Sequence, residues 1–211
     1  MTKIALINYG MGNLHSVAKA LEKAGGKVDL VSDADALQNY DRIVLPGVGA
    51  FRDCSSALKQ SGIDTALQTC IAAGTPFLGI CLGMQILMDV SYEFGRHPGL
   101  GLIPGSVKHF PGDHPERGFK IPHMGWNDVI LSSEREVHPV LAPLAGQQVY
   151  YVHSYCCIPS KPEHLLAACS YGDHPFAAAI GRDTMLAVQF HPEKSQSAGL
   201  AMLESFLQWK P

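Results

Sequence analysis

Residues 77–85 read Phe-Leu-Gly-Ile-Cys-Leu-Gly-Met-Gln, and this run narrows the possible folds more than any other part of the chain. The apolar stretch Phe77 to Ile80 suits a buried strand, and Leu82, Met84, Gln85, Ile86, Leu87 and Met88 after it are good helix formers. Cys81 therefore falls at a strand-to-helix turn, with Gly79 two residues before it and Gly83 two after. This Gly-x-Cys-x-Gly spacing is the cysteine counterpart of the Gly-x-Ser-x-Gly nucleophile elbow, a crowded turn that closes only when its flanks are small. A thiol held there meets the positive end of a helix, which favours thiolate, and the N–H of Leu82 is placed as half of an oxyanion hole. The competing reading is a buried, unreactive core cysteine, a common fate of that residue.

A buried strand of this kind belongs to a sheet covered on both sides, and the N-terminal half supplies one. Residues 3–8 form an apolar run, Tyr9 to Asn13 a glycine turn, and Leu14, Val17, Ala18, Leu21 and Ala24 recur at helical spacing before Gly25-Gly26. Strands follow at 27–31 and 41–45 with a short helix or loop over 33–39, and residues 62–73 make a helix leading into the elbow. Strands alternating with helices imply right-handed crossovers and an α/β fold with a mainly parallel sheet. Past Asp89 the texture changes to turns and short strands, punctuated by glycines and prolines from Gly95 through Gly112 to Pro115. Strand candidates at 127–131, 147–157, 164–170, 175–180 and 184–190 leave little room for helices between them, so the C-terminal half reads as an antiparallel extension. A closing helix over 195–210 has Ser195 and Ser197 as candidate N-caps.

At 211 residues, with 46% apolar and 17% charged side chains and a net charge of −3, the chain reads as one domain, 1–211. No block of like charge suggests a nucleic-acid surface. Residues 70–88 carry no charge and are about long enough to span a bilayer, but Gly74-Thr75-Pro76 breaks them as a membrane span. The six cysteines form no Cys-x-x-Cys pair and no signal peptide precedes the first strand, so a reducing cytoplasm is expected.

A cysteine nucleophile needs a histidine to take its proton and a third group to hold the ring. His191, in Val188-Gln189-Phe190-His191-Pro192-Glu193, stands at the end of an apolar strand. Pro192 holds His191 extended, and residues two apart in extended chain point to one side, which aims Glu193 at the ring. His153 is the second candidate base. His15, His97, His109, His114, His123, His138, His164 and His174 have no acidic partner in phase, and neither His-x-x-x-His nor Cys-x-x-Cys offers a zinc site, so no metal or cofactor is expected. Pro46-Gly47-Val48-Gly49 follows the third strand at the sheet edge where open α/β folds bind ligands, and its backbone is a candidate second half of the oxyanion hole. The Gly10/Gly12 turn lacks the full Gly-x-Gly-x-x-Gly of a dinucleotide site.

Pro-Gly-Val-Gly at 46–49, Gly-Ile-Cys-Leu-Gly-Met-Gln at 79–85 and Gln-Phe-His-Pro-Glu-Lys-Ser at 189–195 together resemble the class I glutamine amidotransferases over essentially the whole chain. Asn8 to Asn13, Pro122-His123-Met124-Gly125-Trp126-Asn127 and Glu193 to Gln196 narrow the resemblance to the glutaminase subunits of imidazole glycerol phosphate synthase. That resemblance implies hydrolysis of L-glutamine through a Cys81-His191-Glu193 triad and a glutamyl thioester, with Val48, Gly49 and Leu82 at the oxyanion hole. It implies Gly49, Gln85, Glu93, Ser154 and Tyr155 around the substrate, and ammonia passed to a (β/α)8 barrel cyclase subunit facing His123, Met124, Trp126 and Lys194. The rival readings are a glutaminase serving another synthase, which 122–127 discriminates, an independent Cys-His hydrolase, and a non-catalytic binding module.

Overall fold

Along the central strands successive side chains enter two different apolar layers, and that alternation sets the architecture. Ile4 and Leu6 face one layer while Ala5 and Ile7 face the other, and Val44 against Ile43 and Leu45 repeats the pattern. Both faces are buried, which is why these strands are continuous hydrophobic runs. A computed structural model of the chain describes residues 1–111, 116–132 and 136–211; Gly112, His114 and Pro115 lie outside them.

The first half runs β1 (Lys3–Ile7), α1 (Leu14–Lys23), β2 (Lys27–Val31), β3 (Arg42–Gly47), α2 (Phe51–Gln60), α3 (Ile63–Ala72), β4 (Phe77–Cys81) and α4 (Leu82–Gln85). The second half is strand-rich: β5 (Met88–Ser91), β6 (His97–Pro98), β7 (Ile103–His109), β8 (His123–Asp128), β9 (Ile130–Leu131), β10 (Gln148–His153) and β11 (Tyr155–Pro159). It closes with β12 (Leu165–Tyr171), β13 (His174–Arg182), β14 (Met185–Val188) and α5 (Gln196–Gln208). The main sheet has eight strands in the order β2-β1-β3-β4-β14-β13-β12-β9. It is parallel from β2 through β14 and antiparallel beyond. Val17 and Leu21 of α1 and Met202, Leu203 and Phe206 of α5 cover one face. Phe51, Cys54 and Leu58 of α2 with Ile63, Leu67 and Ile71 of α3 cover the other. The α/β class with an antiparallel extension is thus the observed architecture.

Several local expectations change. Helix α2 lies where the sequence reading saw only the exit of a glycine loop, and it buries Phe51, Cys54, Ser55 and Leu58 along one side. The helix after Cys81 is a single turn. The carbonyls of Ile86, Leu87 and Met88 accept from Leu100, Leu102 and Gly101 at 2.8, 2.9 and 3.2 Å, so tertiary pairing overrides helix propensity there. The run 147–157 breaks at Ser154 into β10, paired with β8, and β11, paired with β7. Ser195 does not cap α5: its hydroxyl donates to the His191 carbonyl at 2.7 Å and accepts from the Tyr150 amide at 3.0 Å. Among the described residues no helix is long and apolar enough to cross a membrane.

Candidate active site

The turn at Cys81 has backbone angles of φ 54° and ψ −107°, a region that costs an L-residue about 1–3 kcal/mol. Close packing holds it there. A Cβ on Gly83 would stand 1.9 Å from the Leu45 carbonyl oxygen, and one on Gly79 would stand 2.5 Å from that of Gly83. Gly47 is equally tight, with Leu82 Cβ at 2.7 Å and the Tyr9 hydroxyl at 2.8 Å from the same construction. The small flanks are therefore required by backbone approach. Gly47 pairs with Cys81 across the β3–β4 register, which lays the Val48-Gly49 loop beside the elbow, with Gly49 at φ 101°.

Strand β14 is the parallel neighbour of β4 on its other side, Val188 opposite Ile80, so His191 is delivered to the same edge of the sheet as Cys81. Its backbone is fastened at both ends: the amide donates to the Tyr150 carbonyl at 2.9 Å, and the carbonyl accepts from Ser195. Nδ1 of His191 lies 2.8 Å from Glu193 Oε1, both side chains being almost wholly buried. The pairing is as expected but the reason differs, because Glu193 sits in a 3-10 turn, Pro192–Lys194, and not in extended chain. Nε2 is buried with no conventional hydrogen bond among the described residues, and the thiol of Cys81 acts on it. Burial pushes the His191 pKa down, but Cys81 and Glu193 together outweigh it and lift the value to about 10.

Cys81 and His191 open into a pocket of about 340 Å³, enough for one amino acid. Val48, Gly49, Leu82, Gln85, Glu93, Ser154 and Tyr155 all line it, so every residue expected at the oxyanion hole and around the substrate is brought together. Glu93 also accepts from the Phe51 amide at the start of α2. The amide of Gln85 donates to the Tyr155 carbonyl and to Gln189 Oε1, both at 3.2 Å. A wider groove behind Glu193, bordered by Lys19, Lys23 and Gln196, has no cysteine in its lining.

The second candidate base is occupied elsewhere. His153 lines the pocket, but its Nδ1 contacts the Tyr155 carbonyl at 2.9 Å and its Nε2 contacts His123 at 3.1 Å. His123 itself is a correction: it is 3% exposed, with its ring stacked against Tyr151 and Tyr171 and not on the surface. Met124 and Trp126, 61% and 44% exposed, do face outward from the same strand, and Lys194 stands over the ring of Tyr150 next to Trp126. Period-two alternation decides the difference: odd positions of β8 turn inward and even positions outward. Gln189 was overlooked. It is fully buried and donates to the Cys81 sulfur at 3.6 Å, and its parity with His191 along the strand exit is the signal that could have found it.

All six cysteines are buried thiols without disulfides, but Cys81 alone among them lines this pocket. Burial raises the others, Cys54 to about 12 and Cys169 to about 11, so they stay protonated.

Comparison with known proteins agrees with the geometry. The family model described as glutamine amidotransferase class-I matches residues 5–209. A relative from Geobacter sulfurreducens, named imidazole glycerol phosphate synthase subunit HisH, is 48% identical with full coverage of both chains. One of the same name from Syntrophotalea carbinolica is 46% identical over 96% of this chain and 98% of its own. Among solved structures, PurLQS from Thermotoga maritima superposes with a TM-score of 0.75 at 19% identity over 99% of both chains. A structure described as a glutamine amidotransferase gives 0.72 at 16% over 97% of each. These last two show the fold alone. Over nearly its full length, then, this chain belongs to the class I glutamine amidotransferases.

Proposed function

We propose that the chain is the glutaminase subunit of an imidazole glycerol phosphate synthase, hydrolysing L-glutamine to L-glutamate and ammonia. The observation that carries this reading is His191, gripped by Glu193 through one nitrogen with its other nitrogen left for the thiol of Cys81. In that arrangement the Cys81 sulfur attacks the side-chain amide carbon of glutamine. The amide N–H groups of Val48 or Gly49 and of Leu82 receive the charge that develops on oxygen. His191, as imidazolium, gives its proton to the departing nitrogen, and the C–N bond breaks to release ammonia and leave a glutamyl thioester. Water, deprotonated by His191, then attacks the thioester, and glutamate leaves with Cys81 restored. Glu193 keeps the ring in one tautomer and stabilises its charged form. Glu93 suits the substrate ammonium, and Ser154, Tyr155 and the side-chain oxygen of Gln85 suit its other polar groups.

For the partner, the reading rests on an exposed cluster. Met124, Trp126, Tyr150 and Lys194 form a contiguous apolar and cationic patch on the outer face of β8, β10 and the turn before α5. Aromatic and cationic side chains of this kind anchor interfaces, and the HisH relatives are named as subunits. We assign this patch to a (β/α)8 barrel cyclase that consumes the ammonia. A reducing cytoplasm fits the unbridged thiols.

The test is to co-express the chain with its barrel subunit and assay glutamine-dependent and ammonia-dependent synthesis separately. Cys81→Ala is expected to abolish the first and retain the second. Glutamine hydrolysis that survives Cys81→Ala overturns the mechanism, and loss of ammonia-dependent synthesis overturns the proposed channelling.

A further inference from the structure

The ribbon of β8 and β10 carries, on its buried side, a chain of polar groups that the triad does not use. Asn127 Nδ2 lies 3.3 Å from His123 Nε2, His123 Nδ1 lies 3.1 Å from His153 Nε2, and His153 Nδ1 lies 2.9 Å from the Tyr155 carbonyl. The polarity of this chain can be worked out from each end independently. At the inner end a carbonyl only accepts, so His153 carries its proton on Nδ1 and offers a lone pair at Nε2. His123 must then donate from Nδ1, which leaves its Nε2 as an acceptor. At the outer end, Asn127 Oδ1 accepts from the Asp128 amide at 2.8 Å and its Nδ2 donates to the Ser170 carbonyl at 2.9 Å, which fixes the orientation of that amide. Its nitrogen therefore also presents a proton to His123. Both ends demand the same direction, and a single pair of tautomers satisfies every group.

We propose that Asn127, His123 and His153 are positioning residues that act as a directed strut of two neutral imidazoles, fixing the Val152–Tyr155 wall of the glutamine pocket. The wall is the part of the chain where β10 ends and β11 begins. It includes the Val152 carbonyl, 4.0 Å from the Cys81 sulfur, and Ser154 and Tyr155 in the pocket lining. The ring of His153 bridges the break by binding the carbonyl two residues on, and Gln85 binds that same carbonyl from the other side. His123 is clamped between the stacked rings of Tyr151 and Tyr171 at 5.1 and 4.2 Å, so the strut has a fixed base. Around the pair lie Phe110, Phe176 and the Cys156 thiol, and beyond His153 stands His191. In this setting burial lowers His153 to about 3 and His123 to about 4, so both stay neutral where the enzyme works. A neutral His153 also places no charge against the imidazolium of His191.

The role in glutamine binding rests on the function proposed above; the tautomers do not, and the experiment separates the two. Long-range ¹H–¹⁵N spectra of the full chain labelled in histidine read the protonated nitrogen of each ring directly. Two neutral rings bearing the proton on Nδ1, unchanged down to pH 5.5, are expected for His123 and His153. A proton on Nε2 of His153, or titration of either ring near its ordinary value, overturns the strut whatever the substrate is. In the complex with its barrel subunit, His123→Phe keeps the stacked ring and removes both nitrogens. Its KM for glutamine should rise about tenfold with kcat nearly unchanged, the scale of one buried hydrogen bond. Asn127→Asp replaces the terminal donor by an acceptor, and should turn His123 into an imidazolium in the same spectra. Phe110→Leu, which loosens the surrounding cluster without touching a hydrogen bond, should leave KM near the parent value. Equal effects of Phe110→Leu and His123→Phe on KM would reduce the strut to ordinary packing. Should His123→Phe fail to fold, the parent tautomers and Asn127→Asp still decide the matter.

Discussion

The nucleophile side and the pocket-wall side of this molecule are built on different terms. Cys81 is presented by the parallel half, where β3, β4 and α4 come so close that Gly47, Gly79 and Gly83 leave no space for a methyl group. Its conformation is a product of packing, and the strain at φ 54° is held by backbone in contact with backbone. The facing wall comes from the antiparallel half, from β8, β10 and the break at Ser154, and hydrogen bonds of His153, Gln85 and Ser195 set its shape. Steric locking is insensitive to solution conditions, whereas hydrogen-bonded positioning responds to protonation and to single-atom changes. A site assembled from both has a rigid attacking atom and an adjustable surround.

His191 stands at the seam, just past the end of the last parallel strand, and replacing it gives the largest effect expected. His191→Asn removes the imidazole nitrogen that faces the Cys81 thiol, and glutaminase turnover should fall at least about a thousandfold, as in triads where one member is lost. Thermal unfolding followed alongside activity tells chemistry from collapse. A folded variant with more than a tenth of the parental turnover would return His153 to the role of base and dissolve the distinction between the two sides.

Sequence reading reached the two sides unequally, for the same physical reason. The elbow is local: its strand, its glycines and its cysteine lie within nine residues, so spacing was enough to find it. The wall is not local. Whether His123 faces a partner or the core depends on the register of β8 against β10, and whether 147–157 is one strand or two depends on the separate partners β8 and β7. Helix α2 escaped because Arg52, Asp53, Lys59 and Gln60 dominate its composition, although Phe51, Cys54 and Leu58 keep a helical spacing. Ser195 stood where a cap belongs, and its hydroxyl is instead used across the fold to hold His191 against β10, which no local rule reveals.

The steric account of the elbow is tested by Gly83→Ala. The new methyl would need to displace the Leu45 carbonyl from 1.9 Å, and the obstacle is backbone of a central strand, so relief requires moving β3 or α4. A loss of about 3 kcal/mol or more in denaturant unfolding is expected, the upper range for overpacking, together with loss of glutaminase in whatever remains folded. An active, stable Gly83→Ala chain would show that the elbow tolerates slack.

Glu193→Gln sharpens the comparison further because its penalty should depend on pH, while that of Gly83→Ala should not. In the folded chain the His191 pKa is raised to about 10 from an ordinary value near 6.5, despite burial, through Cys81 and Glu193. A raised pKa means the folded state holds its proton more tightly than the unfolded one. The stability this contributes is complete below pH 6.5, where both states are protonated, and drains away as pH climbs through 10. Removing the carboxylate removes part of that upward pull, so the variant should be less stable than the parent by about 1.5–3 kcal/mol near pH 6, the range for a hydrogen bond to a charged group. By pH 10 the gap should have closed to a small remainder. Urea midpoints for the two chains at pH 6, 8 and 10 measure it directly. A gap that stays constant across that range would mean that Glu193 holds a neutral ring by shape alone, and the hydrogen-bonded side of the site would then be as indifferent to protonation as the elbow is.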